Sequence, residues 1–145
     1  MDKWKHLFYG EYAERSIIFG DLTLQQVIQV PSAQSHSIYA ELWHTVLWQK
    51  ILVTRDETLY EDAWQKGERY PQQEPTRFEQ WTALVEEFFL GLDQALEWTA
   101  TPERLNHETD PGTTMADVLC GLAVHNAYHL GKIVAIRQVV GAWRS

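Results

Sequence analysis

The chain has 145 residues, with 12 Lys and Arg against 20 Asp and Glu and a formal charge of −8. That surplus repels phosphate backbones and anionic bilayers, and no basic patch offsets it, so neither nucleic acid nor a membrane is expected as a partner. A lone Cys120 excludes an internal disulfide, and with no signal-like leader and no run of about twenty apolar residues the expectation is a soluble cytoplasmic protein.

The length suits one domain over residues 1–145, large enough to bury about two thirds of the surface its unfolded chain exposes. Asp2 caps a first predicted helix that runs to Phe19 and stops at Gly20, with Trp4, Leu7, Phe8, Tyr12, Ile18 and Phe19 as an irregular apolar stripe. His6 on that helix reads as solvent-facing or as a rim residue. Asp21 to Ser35 is a connector in which Thr23 caps one short turn before Pro31 stops any continuation.

Ser35 or Ser37 begins a second predicted helix on which Ala40, His44, Leu47, Trp48 and Ile51 recur at helical spacing, so His44 falls mid-helix on the buried side. It ends near Thr54 or runs through Leu59. Tyr60 to Pro75 is polar, contains Gly67, Pro71 and Pro75, and reads as a long loop of the kind that forms lids and rims. Thr76 and Glu79 form a T-x-x-E capping box before a third helix, on which Phe78, Trp81, Leu84, Val85, Phe88, Leu92 and Leu96 sustain a stripe to Trp98.

Thr101 to Gly112 is a second loop, with Pro102 and Pro111, and the final helix occupies Gly112 to Trp143 with a capping box from Thr114 and Asp117. No stretch shows strand alternation. Four amphipathic helices bury their apolar sides only against one another, which predicts an all-α, four-helix bundle whose long second connector admits a crossover. The seven Trp supply apolar bulk for packing, with a stacking platform for a planar ligand as the alternative.

The chemistry lies in the histidines. His125 and His129, four apart, share one face of the last helix with Val118, Leu122, Ile133 and Ile136, so that face looks into the protein. A single buried histidine is readily satisfied by hydrogen bonds. Two without a common partner cost about 1–3 kcal/mol for each unsatisfied group, which favours a shared metal ion. Catalytic zinc-type sites use three protein ligands and keep a position for water or substrate, and His44 is the third core-facing histidine.

His36, ahead of the second helix, and His107, in a Pro-flanked loop, read as exposed or capping residues. Cys120 lies five residues before His125, which turns it about 140° away on a helix. It is therefore discounted as a ligand and taken to pack as a small apolar residue. Asn126 stands where a zincin needs glutamate, and the last helix has no glutamate for a di-iron site, although Glu41 and His44 make one Glu-x-x-His pair. A mononuclear divalent site remains, with Zn or Ni ahead of Fe, Mn or Cu.

Glu41, one turn before His44, either orients an imidazole or takes a proton from metal-bound water, or else sits at the solvent edge of its helix. Tyr128 flanks the pair and either donates to a bound anion or marks the edge of the core.

The stretches HSIYAELWHTVLWQ, His36 to Gln49, and HNAYHLGKIVAIRQVVGAW, His125 to Trp143, resemble the second- and fourth-helix signatures of the DinB-like superfamily, also called the DinB/YfiT family. The resemblance covers nearly the whole chain. It implies a four-helix bundle with a three-histidine metal site, one ligand from helix 2 and two from an H-x-x-x-H on helix 4, and these fall on His44, His125 and His129.

The resemblance also implies thiol-dependent S-transferase chemistry with bacillithiol or mycothiol, or isomerisation of a thiol adduct, and homodimers. DNA binding, despite the family name, finds no support in the residues. The expectation is a metal-dependent transferase or hydrolase acting on a small-molecule substrate, with a low-molecular-weight thiol as a further cofactor. Its rival is a non-catalytic metal-binding or stress-response bundle with a closed structural site.

Overall fold

The computed structural model describes residues 2–10 and 13–144. In chain order they form α1 (Lys3–Tyr9), α2 (Arg15–Phe19), α3 (Leu24–Ile28), α4 (Ile38–Thr54), α5 (Glu57–Gln65), α6 (Phe78–Glu97), α7 (Pro102–Leu105), a hairpin of β1 (Glu108–Asp110) and β2 (Thr113–Thr114), and α8 (Met115–Val139). The architecture is all-α. Among these helices α4 is central, packing along both α8 and α6, while α1 touches both α6 and α8 and α2 lies on α8. One apolar core, including Ile38, Leu42, Phe88, Leu92, Leu119, Leu122, Ile133 and Ile136, joins these elements. No helix among the described residues is long and apolar enough to cross a membrane.

The N-terminal helix expected over Asp2 to Phe19 is broken. Gly10 ends α1 with φ at 100°, and a Cβ there would run into the Ala13 carbonyl oxygen, so only glycine makes this turn. Arg15 then donates to the carbonyls of Phe8 and Leu7, satisfying acceptors that a continuous helix would have used. Tyr12, a member of the predicted stripe, lies outside the described residues. Thr23 caps α3 as expected, in a reciprocal box with Gln26.

Ser37 caps α4 by accepting from the Ala40 amide at 3.0 Å, and the helix stops where Arg55 turns left-handed. It does not reach Leu59. Asp56 instead caps a separate helix, α5, by accepting from the Thr58 and Leu59 amides, so the predicted Tyr60 to Pro75 loop is helical at its start. The cap of α6 is also shifted by one residue: Gln80, not Glu79, takes the Thr76 and Arg77 amides at 2.8 and 3.0 Å.

The second predicted loop contains α7 and the short hairpin, turned at Gly112, whose amide donates to the Glu108 carboxylate. Strands of three and two residues are too short to show alternation. The Thr114 and Asp117 box opens α8 as expected, but that helix begins after the hairpin and ends at Val139, short of Trp143.

Candidate metal centre

The long packing of α4 against α8 brings His44 opposite His125 and His129. One ring nitrogen from each lies within 4.8 Å of the others, and the ring centroids are 4.5 to 5.2 Å apart. His44 and His129 are buried and His125 is half-buried. All three residues named from the sequence therefore meet at one place.

Their outer hydrogen bonds set which nitrogens remain available. His44 Nδ1 donates to the Arg69 carbonyl at 2.8 Å. A carbonyl only accepts, so the lone pair of this ring lies on Nε2. His129 Nδ1 faces Glu41 Oε2 at 2.7 Å, again leaving Nε2 for another partner. His125 Nδ1 is buried without a hydrogen-bond partner. Burial, followed by the neighbouring His129 and His44, pushes the His125 pKa down to about 4, and burial lowers that of His44 against the opposing pull of the Arg69 carbonyl. These two rings are neutral at pH 7, the state in which imidazole binds a metal.

Glu41 is 3% exposed, which removes the solvent-edge alternative. Its partner is not its helix neighbour His44 but His129 on α8, and Lys132 Nζ stands 4.0 Å from its other oxygen. Tyr128 is 62% exposed; its ring meets His129 edge-on at 5.1 Å, and Lys132 Nζ lies 4.8 Å above it. It is a rim residue. His107 stacks on Trp98, away from the cluster, and His6 lines a groove between α1 and α8. Cys120 is exposed on that groove rather than packed in the core, because position 120 falls on the outer side of α8.

Sequence reasoning passed over two residues in the loop after α5. Tyr70 is stacked between His36 and His44, with centroids 3.6 and 4.5 Å away and planes tilted by 7° and 9°. Its phenol is pushed up to about 12 by burial and then by Glu41 and Tyr128. Arg69, beside it, supplies the carbonyl that fixes His44. Glu74 anchors this loop by accepting from the Ser37 hydroxyl at 2.7 Å. The lid or rim reading of the loop pointed here, but no periodicity singles out Tyr70.

The arrangement defines a class: an all-α protein with a buried cluster of three histidines capable of holding one metal ion. The chain belongs to the DinB superfamily, whose family model matches residues 8–133. No curated protein and no solved structure matches it.

Proposed function

We propose that His44, His125 and His129 hold one divalent ion, Zn or Ni ahead of Fe, Mn or Cu, and that the protein is a metal-dependent enzyme acting on a small molecule. The observation that carries this reading is the division of roles among the ring nitrogens. Two Nδ1 atoms are engaged outward, which leaves the Nε2 atoms of His44 and His129 as acceptors, and His125 keeps a buried ring nitrogen with no partner. A bound cation satisfies such a set.

Glu41 is engaged by His129 and does not belong to the cluster, which supports an open coordination position over the closed four-ligand sphere of a structural zinc. When bound, the ion would supply a lowered pKa to a coordinated thiol or water. The two branches are transfer of a low-molecular-weight thiol and hydrolysis. In either, Glu41 holds His129 in one tautomer and orientation, and Tyr128 and Lys132 border the approach, where a phenol or an ammonium can hydrogen-bond an anionic group.

The reading includes a homodimer and a cytoplasmic setting. The apolar groove of about 590 Å³ between α1 and α8, with Leu7 and Val124 exposed beside it, supports pairing, and the exposed thiol of Cys120 suits a reducing compartment.

Metal analysis tests the site: His129→Ala should abolish stoichiometric binding while circular dichroism keeps its helical signal, and full occupancy in that variant would overturn the assignment. In a cobalt-substituted form, added azide or thiol should shift the visible spectrum. An unmoved spectrum would favour a closed, non-catalytic site.

A further inference from the structure

Beside the histidines stands an aromatic cluster that the packing of the fold does not require. Trp48 on α4 lies 6.4 Å from His44 and 6.1 Å from His125, centroid to centroid, and reaches Trp64 at 5.3 Å and Tyr60 at 6.3 Å on α5. Trp64 and Tyr60 are 48% and 49% exposed. The buried residue of α5 is Ala63, so the two large rings are not what seats this helix. Exposed aromatic surface continuous with a polar cluster marks a binding region.

We propose that Trp48, Tyr60 and Trp64 form the recognition wall of the histidine site, selecting a small molecule with a flat apolar body and an anionic group. The proposal rests on the functional reading above and adds the substrate class.

The shape of the cluster excludes a cage for a quaternary ammonium. Its rings meet edge to face at 63° to 71° with centroids 5.3 to 6.4 Å apart, so they fill the space a caged cation would need, and what stays accessible is the half-exposed ring surface of Trp64 and Tyr60. Three rings are also too little for a stable protein interface, which takes roughly 800 Å² from each partner.

The anionic group follows from Arg69. Its guanidinium lies 5.1 Å above the Trp64 ring, and its carbonyl holds His44. It forms no ion pair among the described residues. In a chain of net charge −8, a free cation stacked on the wall and tied by its own backbone to the site is placed to meet a carboxylate.

Calorimetric titration of the metal-loaded protein with 2-naphthoate, cyclohexanecarboxylate and acetate tests this. Naphthoate should bind at least about tenfold more tightly than acetate and more tightly than the non-planar cyclohexane acid. Trp64→Ala should weaken naphthoate about three- to tenfold and leave metal per chain unchanged, with Trp64→Phe restoring most of the loss. Equal affinities for the three acids, or a naphthoate affinity indifferent to Trp64→Ala, would overturn the wall. If the chain fails to bind metal, the same titration on the metal-free protein still reads it: naphthoate binding lost in Trp64→Ala upholds the wall, and no binding overturns it.

Discussion

Along α8, two buried nitrogen-rich groups are treated in opposite ways. Arg137 directs Nε and Nη2 to the Ala142 carbonyl at 2.9 and 2.7 Å, and Nη1 to the carbonyls of Ile17, Ile18 and Gly20 at 3.1, 2.6 and 2.9 Å. Nearer the start of the helix, His125 keeps a buried ring nitrogen with no partner, and His44 and His129 turn free nitrogens toward the same point. The chain saturates the guanidinium with its own backbone and leaves the imidazoles unsaturated. A saturated buried group holds a fold together, whereas a cluster that keeps ring nitrogens open is able to take a ligand.

The comparison breaks first at Arg137. Replacing it with leucine leaves the end of α2 and the segment after α8 without their donor, and several buried carbonyls lose a charged partner at once. The expected loss is on the order of 3 kcal/mol in urea denaturation, with metal per folded chain unchanged. A loss below about 1 kcal/mol would show that the clamp is incidental.

At the other end, Glu41→Gln keeps the shape of the side chain but removes the charge that faces His129. Metal affinity, measured by competition with a chelator, should fall about 10- to 100-fold, while the urea midpoint of the metal-free protein moves less than in Arg137→Leu. Unaltered affinity would mean that the Glu41 contact does not tune the site.

How much of this was legible depended on how local the cause is. The pair on α8 and the placement of His44 follow from helical periodicity, and the caps at Thr23, Ser37 and Thr114 act within a turn of their own residue. The partner of Glu41 does not: spacing within α4 points toward His44, and only the packing of α4 on α8 delivers His129. The break at Gly10 was missed for a similar reason, since Arg15 acts back across the turn on carbonyls that look helical in sequence. Tyr70 reaches the site through stacking from an irregular loop, and irregular segments have no period to read.

Acid titration separates the two ends without mutating either. In the metal-free protein the folded His125 takes a proton only near pH 4, and the His44 pKa is also lowered, whereas unfolded histidine titrates near 6.5. Between those values the unfolded chain binds more protons, so stability should decline as pH falls through that window. Arg137 stays charged throughout, so Arg137→Leu should show the same decline from a lower starting value. His125→Gln should flatten it, as urea midpoints at pH 7.5, 6 and 5 would show; an unchanged decline in that variant would remove His125 as its source.

Asn126 supplies the intermediate case and the smallest expected effect. Its Nδ2 donates to Gln49 Oε1 at 3.1 Å, and Gln49 Nε2 continues to the Phe88 carbonyl at 2.8 Å. This buried ladder crosses from α8 through α4 to α6, in space left by Gly91, where a Cβ would collide with the Gln49 amide. Asn126 Oδ1, however, is buried without a partner. Truncation to alanine therefore strips Gln49 of one donor but also removes an acceptor that was already unsatisfied, and the two changes oppose each other. Asn126→Ala should cost about 1 kcal/mol, well below Arg137→Leu, and should leave metal affinity unchanged because the ladder points away from the histidines toward α6. A loss as large as that of Arg137→Leu would place Asn126 with the saturated groups, and a loss of metal binding would tie the ladder to the site.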